Sequence, residues 1–231
     1  MSVAKPRRMS RQARRQDLVA AALELFSTRA PEDVGIDDVT ARAGVSRPLF
    51  YRYFRGLDEL RVAALRTVAD DLLDRMRRRA SGSRQQRLRA VVRALVDVAA
   101  EHRCGYLALL RSGSVVATSE TNAIVDEVRA RAVEVVLAEC EITEPSPMLL
   151  ATLRCWTAIV EVAVSTWLQG AELRRERLDG WLVDQLMVML QVTARHDDER
   201  GRRGASAVGQ ETLTTSSQPS TCSGPRGAGP T

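Results

Sequence analysis

The sequence predicts an all-α protein, and three observations support this prediction. Apolar residues recur at helical spacing along most of the chain, whereas Val, Ile and Thr do not form the alternating runs typical of half-buried strands. Long stretches are rich in Ala, Leu, Arg and Glu, whose side chains lose little freedom in a helix. The chain has 231 residues, 45% of them hydrophobic and 27% charged, so it can bury a sizeable core.

The first predicted helix covers about residues 11–29 and follows a basic arm, 1–10, that we expect to be disordered. Its apolar positions are Leu18, Ala21, Ala22, Leu25 and Phe26. This i, i+3, i+4, i+7, i+8 spacing places them on one stripe of an amphipathic helix. Pro31 lies just beyond the stripe and is expected to end the helix.

Two short helices follow, at 36–43 and 47–54, with a tight turn between them. Gly44 can take the positive φ that a sharp turn between helices needs. Ser46 is a good N-cap for the second short helix. Pro48 is tolerated in the first turn of that helix, because the N–H groups there have no intrahelical partner. This pattern predicts a helix-turn-helix.

The second short helix has an inward and an outward face. Phe50 and Phe54 are four residues apart and are expected to face the core, while Arg47, Tyr51 and Arg52 point outward. Arginine can bind guanine edges or phosphate, and a tyrosine hydroxyl can donate to phosphate. The outward face therefore predicts a DNA-binding surface. The predicted DNA-contacting residues are Arg11, Thr40, Ser46, Arg47, Pro48, Leu49, Tyr51, Arg52, Tyr53 and Arg55.

The charge distribution agrees with a polyanionic partner. The net charge is +5, and residues 1–55 carry eleven basic against six acidic residues, so the whole excess lies in this segment. A localised basic field is typical of nucleic-acid-binding proteins. Charge alone fits a solvated basic tail equally well.

Residues 18–60 resemble the N-terminal domain of the TetR family of bacterial regulators. The matching features are Phe26, the helix 36–43, the run Ala43-Gly44-Val45-Ser46, the aromatic residues Tyr51, Tyr53 and Phe54, and the run Asp58-Glu59-Leu60. The resemblance implies that the second short helix enters the major groove of DNA. It also implies C-terminal helices that form a ligand pocket and a dimerising four-helix bundle.

Two positions depart from the family pattern. Gly35 stands where the family usually has a Thr or Ser cap, but glycine caps a helix acceptably. Leu57 stands where the family often has a phosphate-contacting Lys. Arg55 or the N-terminus of the next helix could substitute for that contact.

The rest of the chain is predicted to form a helical ligand-binding and dimerisation domain, after a DNA-binding domain at 11–56. This second domain covers 57–196, with helices at 57–79, 84–103, 104–111, 119–141, 147–169 and 177–195. The last segment, 197–231, is rich in Gly, Ser, Thr and Pro and is predicted to be a disordered tail.

The helices near 147–169 and 177–195 are apolar on most of their circumference, so both of their sides must be buried. We predict a homodimer through these two helices, with a thick monomeric core as the alternative. A polar stripe on the first of them comprises Arg154, Thr157, Glu161 and Ser165. We expect this stripe to be solvated or to cross the dimer seam rather than to line a pocket.

A small-molecule pocket is expected among the helices of 57–169. The candidate lining residues are Met76, Tyr106, Leu109, Leu110, Arg111, Cys155 and Trp156. Most of them would be ordinary core residues if no ligand bound. Their mixture predicts a mainly apolar effector.

Two other classes of protein fit the sequence less well. An enzyme is disfavoured, because the chain has only two histidines, His102 and His196, and lacks a glycine-rich phosphate loop or a nucleophile elbow. We expect no catalytic residue, metal or cofactor. A helical scaffold or dimerisation protein without specific DNA readout would explain the helices, but not the basic Tyr/Arg face.

The four cysteines have no paired spacing and predict free thiols in a reducing cytoplasm. We find no stretch of membrane-spanning length without polar interruption, so we expect no membrane contact. The sequence thus predicts a ligand-responsive, dimeric transcriptional regulator of double-stranded DNA. We expect a palindromic operator and repression that a small molecule relieves.

Overall fold

The computed structural model describes residues 10–78, 80–110, 117–170 and 172–214. These residues contain helices and turns but no strand, which confirms the all-α prediction. The elements in chain order are α1 (Arg11–Thr28), a short 3-10 turn (Pro31–Asp33), α2 (Ile36–Ala43), α3 (Arg47–Tyr51), α4 (Leu57–Arg77), α5 (Arg84–Glu101), α6 (Arg103–Leu110), α7 (Ser119–Glu139), α8 (Pro147–Leu168) and α9 (Arg175–Thr214).

Most helix ends lie within two residues of the predicted bounds, and two differ by more. Helix α3 ends at Tyr51, earlier than the predicted 54, although the Phe54 N–H still donates to the Phe50 carbonyl at 3.0 Å. Helix α9 continues to Thr214, whereas we expected a disordered tail from 197. Extending an existing helix avoids nucleation, which is the costly step in helix formation.

Both chain ends lie partly outside the described residues. Residues 1–9 of the expected basic arm and residues 215–231 of the expected tail are not described. Ser10 is the N-cap of α1, and its hydroxyl accepts a hydrogen bond from the Ala13 N–H at 3.0 Å. Three cysteines are free thiols, as predicted, and they are Cys104, Cys140 and Cys155. The predicted free thiol at Cys222 falls in the undescribed C-terminal segment.

Helices α1, α2 and α3 and the first half of α4 share one small core. Leu18, Phe50 and Leu60 are fully buried in it, and Phe54 is 1% exposed. Each of these helices contributes its apolar stripe to this core, so the orientation of α3 is set by packing. Burying side chains of this size supplies about 1.5–3 kcal/mol each.

A second, larger core holds the C-terminal helices together. Helices α5, α7, α8 and α9 contribute most of its buried residues. Trp156 on α8 is 4% exposed, and its indole N–H donates to the Leu182 carbonyl of α9 at 2.9 Å. This bond satisfies the polar atom of the ring and fixes α8 against α9.

Helix α4 belongs to both halves of the molecule. Its first half places Leu60 and Ala64 in the N-terminal core. Its second half places Leu72 and Met76 in a cluster with α5 and α7 residues such as Val91. A change in the packing of the C-terminal helices can therefore reach the N-terminal domain through α4.

One described helix, α8, is long and apolar enough to cross a membrane by length and composition. We had expected no stretch of membrane-spanning length without polar interruption. However, α8 buries Leu153, Trp156 and Val160 in the C-terminal core and carries the charged residues Arg154 and Glu161. Core helices of soluble proteins meet the same criterion, and we assign α8 to the core.

Candidate DNA interface and ligand cavity

The turn between α2 and α3 is built around Gly44. Gly44 has φ 63° and ψ 37°, which is the left-handed conformation that the sequence analysis predicted. The Val45 N–H donates to the Thr40 carbonyl at 2.9 Å, and the Val45 side chain packs against the N-terminal core. The chain can thus leave α2 and start α3 within three residues.

Helix α3 has one buried and one exposed face. Phe50 is fully buried, and its ring centroid lies 5.8 Å from that of Phe54. The guanidinium carbon of Arg15 on α1 lies 4.6 Å from the Phe54 centroid, as in a cation–π contact. Tyr51 is 56% exposed, and its ring lies edge-on to that of Phe50, with the centroids 5.5 Å apart.

Most of the predicted DNA-contacting residues are exposed. The exposed ones are Arg11, Ser46, Arg47, Pro48, Tyr51, Arg52 and Arg55. Leu49 and Tyr53 are half-buried. We refer to the exposed residues of α3 and its N-cap, 46–52, as the reading surface.

Thr40 does not belong to this surface. Its side chain is 5% exposed, and its hydroxyl donates to the Asp37 carbonyl at 3.1 Å within α2. The position of Thr40 therefore does not support the predicted DNA contact from its side chain. The short helix α2 turns this position toward the core beside Val39, which is fully buried.

Arg47 carries an ion pair that sequence reasoning missed. The Arg47 Nε lies 2.5 Å from Asp37 Oδ1, and Arg47 Nη2 donates to Asp37 Oδ2 at 2.8 Å. The two residues are ten positions apart, on the first turns of α2 and α3. Only the fold of the helix-turn-helix brings them together, and no local spacing rule indicates the contact.

The sequence predicted a cap at the N-terminus of α3 and left open which group contacts phosphate at the N-terminus of α4. Ser46 has the extended backbone of an N-cap, but its hydroxyl makes no capping hydrogen bond. Leu57 is half-buried against the N-terminal core, which explains why an apolar residue suits this position. The backbone N–H of Arg55 donates to Glu59 Oε2 at 2.9 Å, and Arg55 is exposed just before the start of α4.

A cavity of about 180 Å³ lies between the two halves of the molecule. Its walls come from α1, the 3-10 turn and all helices from α4 to α8. Five predicted pocket residues line it, namely Met76, Tyr106, Leu109, Leu110 and Trp156. Cys155 does not line it, because its side chain is exposed on the other side of α8. Arg111 lies outside the described residues.

The polar stripe of α8 is divided between the cavity and the surface. Thr157 and Glu161 line the cavity, contrary to our expectation of a solvated or dimer-seam stripe. Arg129 Nε on α7 donates to Glu161 Oε1 at 2.7 Å, and Arg129 Nη2 donates to Glu161 Oε2 at 2.8 Å. Arg154 is exposed, as expected. The sequence could not show that α7 supplies a partner for Glu161.

Two further polar groups line the same cavity. The Tyr106 hydroxyl and His102 Nδ1 are buried and have no hydrogen-bond partner among the described residues. Burial raises the pKa of Tyr106, so its phenol is neutral. Burial also lowers the pKa of His102, although Glu101 and Asp71 act in the opposite direction. These groups give the cavity hydrogen-bonding capacity without formal charge.

The far end of the cavity reaches the N-terminal domain, which the sequence analysis did not predict. Leu23 and Phe26 of α1 and Pro31 line this end, together with Arg61 of α4. The Arg61 side chain donates to the Pro31 carbonyl at 2.9 Å and pairs with Asp58 at 2.9 Å. A molecule in this cavity would touch both the DNA-binding domain and α8.

The outer faces of α8 and α9 expose large apolar side chains. Among the described residues, six of the seven exposed large hydrophobic side chains lie on these helices or between them. They are Met148, Val162, Leu173, Trp181, Val188 and Val192. We refer to these six residues as the α8/α9 apolar face. The seventh is Tyr51 on the reading surface.

Comparison with protein families gives matches in both halves of the chain. Residues 18–64 match a family described as "Bacterial regulatory proteins, tetR family". Residues 84–189 match a family described as "Tetracyclin repressor-like, C-terminal domain". The boundary between the two matches falls within α4 and the turn after it.

Solved structures share this fold over most of the chain. A tetR-family transcriptional regulator from Streptomyces coelicolor is 39% identical, with a TM-score of 0.78, over 84% of this chain and 87% of that one. The regulator LfrR from Mycobacterium smegmatis, solved in complex with proflavine, is 23% identical, with a TM-score of 0.55, over 77% of this chain and 96% of that one. This second likeness concerns the fold alone.

Curated relatives match a shorter stretch. The transcriptional activator FasR of Mycolicibacterium smegmatis is 38% identical over 101 residues, which are 43% of this chain and 46% of FasR. The transcriptional regulator BetI of Escherichia coli is 35% identical over 83 residues, which are 34% of this chain and 43% of BetI. The chain thus matches less than half the length of these curated relatives.

Proposed function

This chain belongs to the TetR family of bacterial regulatory proteins, and we propose that it is a transcriptional regulator that binds double-stranded DNA through α3. The observation that carries this proposal is the reading surface, where Arg47, Tyr51 and Arg52 are exposed while Phe50 anchors the helix in the core. Arginine and tyrosine on the exposed face of a short helix suit contacts to base edges and phosphates.

Selection of bound sequences from a random pool of DNA duplexes tests this proposal. We expect the full chain to enrich an inverted repeat whose half-sites are about one helical turn, or 34–36 Å, apart or somewhat more. A helical scaffold or dimerisation protein is the alternative function, and it would enrich no sequence. Failure to enrich any sequence at low and moderate salt would therefore exclude our proposal.

We propose that the protein acts as a homodimer through the α8/α9 apolar face. This face is supported by the concentration of exposed apolar side chains on the outer sides of two packed helices. Two copies related by a two-fold axis would bury it in a four-helix bundle. Sedimentation should show a dimer at micromolar concentration, and a stable monomer would exclude this arrangement.

We propose that an uncharged, mainly apolar small molecule binds the cavity and controls DNA binding. Most of the lining is apolar, and both lining arginines are already paired, Arg61 with Asp58 and Arg129 with Glu161. A charged ligand would lose its hydration without meeting a free counter-charge, which is costly. The Tyr106 hydroxyl, which has no partner among the described residues, suits a polar group on the ligand.

Matched ligands of equal chain length test this effector class. A long-chain alcohol should quench or shift the fluorescence of Trp156, which lines the cavity, at lower concentration than the corresponding carboxylate or amine. A Trp167→Phe and Trp181→Phe background leaves Trp156 as the single tryptophan. Tighter binding of either charged ligand would contradict the proposed effector class.

We propose that the effector shifts the dimer between two arrangements of its reading surfaces. The cavity touches α1 and the 3-10 turn at one end and α8 at the other, and α4 joins both cores. A ligand with different affinities for the two arrangements would change their populations. We propose repression in the ligand-free state, in the cytoplasm, although the relative FasR is named an activator. A reporter gene behind the selected operator determines the sign of regulation.

A further inference from the structure

Arg47, the first residue of α3, is already bonded within the protein. Asp37 on the first turn of α2 holds the Arg47 guanidinium through both of its oxygens, at 2.5 and 2.8 Å. Both side chains are largely exposed, at 61% for Arg47 and 73% for Asp37. Exposed pairs of this kind contribute only about 0–1 kcal/mol to stability. The pair is therefore better explained by what it does to Arg47 than by what it adds to the fold.

The atoms used by this pair leave one edge of the guanidinium free. A guanidinium has five N–H donors in a rigid planar fork. Asp37 occupies the edge formed by Nε and one hydrogen of Nη2. The edge formed by Nη1 and the outer hydrogen of Nη2 remains available. Two parallel donors on one edge match the O6 and N7 acceptors of guanine in the major groove.

We propose that Asp37 is a positioning residue that orients Arg47 for bidentate recognition of a guanine base. This inference rests on the proposed function, because it assumes that α3 enters the major groove. Asp37 would restrict the many rotamers of the arginine side chain before DNA binds. Less conformational entropy would then be lost when the base contact forms.

The same pair reduces the attraction of Arg47 to the DNA backbone. The carboxylate cancels the charge of the guanidinium, and phosphate contacts depend on net positive charge and on counterion release. A phosphate approaching Arg47 would also be repelled by Asp37. The pair thus favours base contacts over phosphate contacts, and the basic residues Arg11, Arg52 and Arg55 are left for the backbone.

The test compares base discrimination by four proteins on the selected operator. The guanine to be tested lies at the operator position that loses its base preference when selection is repeated with the Arg47→Ala variant. Discrimination is the ratio of dissociation constants for duplexes with 7-deazaguanine and with guanine at that position. In the wild type we expect a ratio of about 5–100-fold, as for a bidentate arginine contact.

Asp37→Asn should lower this ratio several-fold. It should also strengthen binding to unrelated DNA and make the dependence of affinity on salt steeper by about one unit, because Arg47 gains a net charge. Asp37→Glu keeps a carboxylate within reach of Arg47 and should restore most of the discrimination. A purely structural role in α2 would move the thermal midpoint but not the guanine ratio.

Glu24→Gln is the matched control. Glu24 on α1 pairs with Arg42 on α2, so this variant changes the net charge by the same amount and breaks an exposed ion pair in the same domain. It should leave the guanine ratio unchanged.

Two results would overturn the proposal. Asp37→Asn could keep the full ratio, whether or not it strengthens binding to all sequences equally, or Arg47→Ala could lose no base preference. A wild type that enriches no sequence would instead contradict the proposed function itself. These outcomes distinguish a failure of the proposed role of Asp37 from a failure of the proposed DNA-binding function.

Discussion

At the scale of single residues, Gly44 has the clearest effect on the candidate DNA interface. Its φ of 63° allows α3 to start directly after α2, so the direction of the reading surface depends on it. The sequence predicted this conformation, because glycine between two short helices is typical of a left-handed cap. It also predicted that Phe50 and Phe54 are buried, since their spacing places them on one face of α3.

Replacing Gly44 with alanine should destabilise the protein by about 1–2 kcal/mol, because an L-residue in the left-handed conformation is strained. A Cβ at this position would have no atom within 4 Å, so the loss reflects the backbone alone. Gly44→Asn should lose less, since asparagine tolerates this conformation better. Urea unfolding measures both variants, and equal stability of Gly44→Ala and wild type would contradict the assignment.

His102 predicts a pH dependence of stability. Burial lowers its pKa in the folded protein, so the unfolded chain binds a proton more readily below the unperturbed value of about 6.5. The free energy of unfolding should therefore fall as the pH drops from 7 towards 5. His102→Gln should flatten this part of the curve. His196→Gln, an exposed position, serves as the control, and an unchanged slope in His102→Gln would count against this origin.

At the scale of elements, the periodicity of the sequence located each α-helix of the described residues, except the last part of α9, but it did not show which helices meet. Glu161 illustrates the limit, because its spacing places it on a polar stripe of α8, while its partner Arg129 lies on α7. The Asp37–Arg47 pair and the contact of the cavity with Pro31 were missed for the same reason. Long-range packing sets these contacts, and a single sequence carries no direct signal for it.

The α8/α9 apolar face gives a prediction about assembly. Val188 is 55% exposed on α9, and Val188→Arg would place an unpaired charge at the two-fold seam in both copies. We expect the dimer to weaken by roughly 100-fold or more, since buried unpaired charges cost several kcal/mol. Sedimentation equilibrium gives the dissociation constant.

Asn122→Arg is the control for this experiment. It introduces the same side chain at an exposed position of α7, away from the α8/α9 apolar face. This variant should remain dimeric. If Val188→Arg dimerised as tightly as Asn122→Arg, the dimer would use another surface.

At the scale of the whole molecule, the cavity connects ligand binding with DNA binding. Ala132 on α7 lines the cavity, so Ala132→Phe should fill part of it and remove the thermal shift caused by the uncharged ligand. DNA binding of the ligand-free protein should persist, because the reading surface is unchanged. Ala123→Phe, at an exposed position of α7, should keep both responses. A ligand response that survives in Ala132→Phe would show that the effector binds elsewhere.

The central claim is that the exposed face of α3 recognises DNA. The most direct measurement is the affinity of the Arg47→Ala/Tyr51→Ala double variant for the selected operator, by fluorescence anisotropy at fixed salt. We predict a loss of about 100-fold relative to wild type, since two contacts of about 1–3 kcal/mol each are removed. The thermal midpoint should stay close to that of wild type, because both side chains are exposed. An operator affinity equal to that of wild type would contradict the account.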